Sequence, residues 1–178
     1  DVAFANASGN NQTSVYVYNG NKNITFEDCS FTGYAYEAIQ YTSKDVEWIS
    51  IVGCNFNSDK TPARHIHVQP KSDVDADGSG YADDLLVDAS IKVVNNVFEG
   101  AVKSGNEYVC IHGFHFENMT LSGNAMDADP AANLWISDDL SYTVLRYDGF
   151  INAEVVENAS DLISNAAAGD PVAMASDL

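Results

Sequence analysis

The chain has 178 residues, 46% of them hydrophobic, and carries 26 acidic against 8 basic side chains for a net charge of -18. That length makes one domain with a buried core, and that composition excludes disorder. So negative a surface repels phosphate backbones and anionic lipid, and no run approaches the roughly 18 apolar residues of a membrane span, so neither nucleic acid nor membrane insertion is expected.

In chain order the first strand signal is Val15 to Tyr18, where Val and Tyr alternate. Alternation with period 2 turns one set of side chains inward and the other outward. Four longer segments then share one pattern: ITFEDCSFTG from Ile24, ISIVGCNFNS from Ile49, IKVVNNVFEG from Ile91 and MTLSGNAMDA from Met119. Each has two apolar residues two apart, then Gly, Asn or Asp, then Cys or Asn, then Phe or Met two residues later. Successive copies are offset by 25, 42 and 28 residues. A fixed inner pattern with variable spacers marks a solenoid whose insertions sit in loops.

Within a copy, two short strands meet at a tight corner on Asp28, Gly53, Asn95 or Gly123, residue types that accept a left-handed backbone at low cost. Cys29, Cys54, Asn96 and Asn124 follow the corner and point inward as a ladder, with Phe31, Phe56, Phe98 and Met126 as a second interior stack. Cys29 and Cys54 fall one coil apart, where parallel inward vectors suit stacked thiols better than a disulfide. A third apolar segment follows each corner: EAIQY at Glu37, RHIHV at Arg64, EYVCIH at Glu107 and ANLWIS at Ala132.

Three strands per turn give an all-β, three-faced parallel coil of about four to five turns over residues 15–140, which resembles a single-stranded right-handed parallel β-helix. The N-x-F ladder resembles the pectin-lyase-like superfamily. Val15 to Tyr18 supplies the third strand of an incomplete first coil, Tyr142 to Ile151 begins a last one, and Ser160 to Ala168 is expected as a short helix within a cap over 141–178.

The longest spacer, residues 70–88, contains Asp73, Asp75 and Asp77 at alternate positions before Gly78, then Ser79, Tyr81 and Asp84. Carboxylates at positions 1, 3 and 5 of a loop with a turn-permitting Gly match the first half of an EF-hand-type Ca²⁺ site. Asp84 in place of Glu at position 12 resembles the loops of dockerins and implies weaker binding. The competing reading is a solvated acidic turn.

In carbohydrate-active members of the superfamily the third strand of each coil lines the substrate groove. If Ile39, Ile66, Val109 or Ile111, and Leu134 point inward, the outward set includes Gln40, His65, His67, Cys110, His112 and Trp135. Three readings compete for this face. One is a sugar-binding surface, with Trp135, Tyr41 or Tyr108 stacking on a pyranose and Gln40, His67 and His112 hydrogen-bonding. Another is a soft-metal site of His65, His67, His112 and Cys110. In the third, loops cover these residues or they merely decorate a surface.

The family's hydrolases carry paired aspartates and a Gly-His-Gly, for which Gly113 and His115 in GFHF and the later Asp138 and Asp139 are incomplete matches. Its lyases set Ca²⁺ beside an Arg or Lys base, for which Arg64 is the candidate, with His67 and His112 as further catalytic candidates. The chain opens on Asp1 and has N-x-S/T sequons at Asn6, Asn11, Asn23, Asn118 and Asn158, which an Asn-, Ser- and Thr-rich composition produces by chance. The expectation is an extracellular or cell-surface protein whose signal peptide is gone. Its expected role is a non-catalytic module for adhesion, carbohydrate binding or scaffolding, stabilised by calcium. The alternative is a polysaccharide lyase or glycoside hydrolase acting on an acidic polysaccharide.

Overall fold

The structure, a computed structural model, describes residues 2–5, 12–18, 20–43, 46–69, 89–103, 108–111, 118–126, 134–136 and 144–147. The calcium-type loop from Asp73 to Asp84, His112, Gly113, His115, Asp138, Asp139 and the expected helix from Ser160 to Ala168 lie outside them.

Three parallel sheets of five strands each make up the fold. The first sheet holds β1 (Ala3–Ala5), β4 (Ser30–Thr32), β7 (Asn55–Asn57), β10 (Val97–Glu99) and β13 (Ala125–Met126). The second holds β2 (Val15–Val17), β5 (Glu37–Tyr41), β8 (Arg64–Val68), β11 (Val109–Ile111) and β14 (Leu134–Ile136). The third holds β3 (Asn23–Glu27), β6 (Trp48–Val52), β9 (Ser90–Val94), β12 (Asn118–Ser122) and β15 (Val144–Tyr147). Each strand pairs with the strand three further along the chain, so the backbone winds through all three sheets once per turn. This is an all-β parallel β-helix, with no helix among the described residues. Strand β1 adds a segment before Val15 that the repeat pattern left out.

The tight corners sit where the sequence put them. Asp28, Gly53, Asn95 and Gly123 have φ of 51°, 65°, 56° and 62°. The corners also alternate between a polar side chain and a bare glycine. A methyl group on Gly53 would meet Asp28 Oδ1, and one on Gly123 would collide with Asn95 Oδ1. The longer corner residue thus fills the space that the glycine beside it leaves open.

Inside the coil the side chains form two columns. Ring centroids of Phe4 and Phe31 lie 4.8 Å apart, and those of Phe31, Phe56 and Phe98 are 4.9 Å apart in succession. Interplanar angles of 5°, 3° and 11° show that strand spacing dictates the stack. Phe4 is the member that sequence pattern alone missed. Full burial of each such ring is worth about 2–3 kcal/mol.

The second column is polar and bonded along its length. Asn96 Nδ2 donates to Asn124 Oδ1 at 2.9 Å and to the Ile51 carbonyl at 3.0 Å, while its Oδ1 accepts from the Cys54 amide at 2.9 Å. Asn124 Nδ2 donates to the Val93 carbonyl at 2.9 Å. Below them Cys54 Sγ and Cys29 Sγ donate to backbone carbonyls, and neither thiol is bridged. Burial raises the Cys54 thiol to about 11, so it behaves as a small hydrophobe.

Replacing Asn96 by Ala strands the Cys54 amide and the Ile51 carbonyl in a dry interior. At about 1–3 kcal/mol for each buried group left without a partner, Asn96→Ala is expected to lower unfolding free energy by roughly 3 kcal/mol in urea titrations. A loss below about 1 kcal/mol would show that the ladder does not hold the coils.

Candidate functional site

The outer face of the second sheet begins at β2. Its Val17 is buried opposite Tyr41 in register, so Tyr16 and Tyr18 project outward and are 52% and 56% exposed. Their ring centroids lie 5.7 Å apart at a 30° tilt. Tyr16 Oη is 3.3 Å from Thr42 Oγ1, which ties one ring to the next coil.

Register places Tyr16, Gln40, His67, Cys110 and Trp135 at equivalent positions on adjacent strands. This is the column that alternation predicts, extended by Tyr16. Exposure falls along it, from exposed Tyr16 through half-buried Gln40 to buried His67 and Cys110.

Glu37, at the start of β5, is fully buried and sits opposite Arg64 in register. Its Oε1 accepts from His67 Nδ1 at 2.7 Å and from Arg64 Nη1 at 3.4 Å. A buried carboxylate is tolerated only with such partners, because removing it from water costs several kcal/mol. Glu37 Oε2 and Arg64 Nε, both buried, have no hydrogen-bond partner among the described residues.

His65 departs from expectation. It is fully buried and faces the core, where its ring lies 4.7 Å from Tyr108 and 5.6 Å from Phe98. The cause is a kink at the strand entry. The Ala63 and Arg64 amides both donate to the Tyr36 carbonyl, and the His65 and Ile66 amides both donate to the Tyr108 carbonyl. Two successive donors on one acceptor interrupt the alternation as a bulge does, so inward and outward positions resume their period only from Ile66.

The two imidazoles therefore have opposite tasks. His65 Nε2 donates to the Gly100 carbonyl at 3.1 Å, which leaves Nδ1 to accept from the Tyr34 hydroxyl. Burial pushes the His65 pKa down to about 3 and holds the Tyr34 hydroxyl well above its ordinary range. His67 instead donates from Nδ1 to Glu37. Because His65 and His67 point apart, the imidazoles of RHIHV do not converge, and among the described residues no three His, Cys, Asp or Glu side chains cluster as a metal-binding group.

Two of the tyrosines expected to stack on a sugar are also buried. Tyr41 donates to the Asn21 carbonyl at 2.6 Å, and Tyr108 packs on His65. Trp135 lies on β14 beside Cys110 in register. His112 lies outside the described residues. Arg64 is on this face, but its guanidinium is engaged by Glu37. Sequence reasoning missed Tyr16, Tyr18 and Glu37. VYVY carried the signal for the tyrosines, and a Glu one coil before an Arg carried the signal for the ion pair.

No protein-family model, curated protein or solved structure matches the chain. The site consequently rests on its own geometry, and His65 supplies a test of it. Its folded pKa of about 3 lies below the ordinary 6.5. Between those values the unfolded chain binds a proton that the native chain refuses, so this contribution is complete above about pH 6.5 and drains away as pH falls toward 3. Unfolding free energy measured from pH 7 to 5.5 is expected to fall with pH, and His65→Gln to flatten that limb. An unchanged slope in the variant would contradict the buried neutral imidazole.

Proposed function

We propose that this chain is a secreted or cell-surface module that binds carbohydrate without cleaving it, for adhesion or scaffolding. In this reading it is a right-handed parallel β-helix of the pectin-lyase-like type whose long loop, through Asp73, Asp75, Asp77, Ser79, Tyr81 and Asp84, holds calcium. The observation that carries the reading is the exposed pair Tyr16 and Tyr18, set beside half-buried Gln40 on the outer face of the second sheet. Aromatic rings at the end strand of a sheet offer apolar faces to the C–H side of a pyranose, and their hydroxyls and the Gln40 amide offer donors and acceptors to its edge. A lyase reading has less support. A general base at Arg64 would have to give up a proton from a guanidinium that is held against a buried carboxylate, and guanidinium groups keep their proton in proteins.

Loss of one stacking ring is worth about 1.4 kcal/mol, or tenfold in affinity. Tyr16→Ala and Tyr18→Ala are each expected to weaken glycan binding by about that factor on an array while far-UV circular dichroism stays unchanged. Release of reducing ends or of unsaturated products would replace the binding module with an enzyme.

Calcium predicts a separate gain. At free Ca²⁺ about tenfold above the dissociation constant, mass action stabilises a chelator-stripped chain by about 1.4 kcal/mol, a rise of roughly 3–6 °C in Tm, and Asp75→Asn with Asp77→Asn is expected to abolish it. Absence of heat on titration with millimolar Ca²⁺ would remove calcium from the account.

A further inference from the structure

The charge on the tyrosine face says what kind of glycan fits it. The strands of the second sheet carry one cation among them, Arg64, and its guanidinium lies 3.4 Å from the buried Glu37 carboxylate. Lys22 is likewise taken, by Glu47 at 3.1 Å, and Lys92 lies on β9 in the third sheet. Among the described residues of its strands, the face therefore offers rings, a side-chain amide and a self-neutralised ion pair. The remaining chain is strongly anionic, with a net charge of -18.

We infer that the glycan bound at Tyr16, Tyr18 and Gln40 is uncharged, a neutral polysaccharide rather than a uronic-acid or sulfated polymer. The inference rests on the carbohydrate-binding reading above and narrows it. A bound carboxylate or sulfate needs a charge-assisted donor. Drawing Arg64 toward the ligand would leave Glu37 buried with one donor fewer on its only bonded oxygen. Every repeat of a polyanion would also approach a surface of its own sign. Neutral hydroxyls suffer neither penalty.

Affinity electrophoresis of the full chain tests this, in gels cast with a neutral β-glucan or galactomannan, or with polygalacturonate or chondroitin sulfate. Runs at about 20 and about 300 mM NaCl separate charge attraction from stacking, because salt screens the first alone. The expected result is retardation by a neutral polymer, changing less than about twofold between the two salts and weakened about tenfold by Tyr16→Ala. Retardation by polygalacturonate or chondroitin sulfate that fades at high salt would overturn the uncharged ligand and leave carbohydrate binding standing. Failure of all four polymers to retard a correctly folded chain would overturn both.

Discussion

One side chain joins three rungs of this protein. The Asn96 amide accepts from Cys54 and donates to Ile51 on the coil before it, and it donates to Asn124 on the coil after. A primary amide suits this because it is donor and acceptor at once, and in a dry interior each unmade bond would carry its full desolvation penalty. Slipping the register by one residue would break these bonds and turn every apolar side chain outward. Ladder and left-handed corners together set the stack. From that stack follow the parallel phenylalanine rings, with Phe31, Phe56 and Phe98 each 4.9 Å from the next.

The same register builds the outer face. A column that climbs one residue per coil brings Tyr16, Gln40, His67 and Cys110 side by side although they are far apart in sequence. Gln40, His67 and Cys110 sit on strands paired on both sides, whereas Tyr16 sits on the end strand β2, paired with β5. Tyrosine has few side-chain torsions to order, which suits a surface that meets an extended, flexible polymer. On the neighbouring coil the buried Glu37 ties Arg64 and His67 to one place and offsets the positive charge that the sequence of β8 advertises.

Where alternation met an uninterrupted strand, sequence reasoning placed side chains well. Cys29, Cys54, Asn96 and Asn124 turn inward as the pattern requires, and the corner residues take up positive φ. Where the strand bends, it failed. At the entry to β8, paired amides share a carbonyl and the parity shifts, so His65 joins the aromatic core while His67, two residues on, stays on the outer face with Glu37. Tyr41 and Tyr108 were offered as surface rings and are instead buried, the first against the Asn21 carbonyl and the second against His65.

The amino-acid order by itself determined the parallel coil, its corners and its inward columns, because those depend on a local period repeated along the chain and need no distant partner. Only the tertiary structure decided which imidazole joins the aromatic core, which tyrosines meet water and which carboxylate neutralises Arg64. Each of those depends on what lies one coil above or below, and spacers of unequal length hide that neighbour until the turns are stacked.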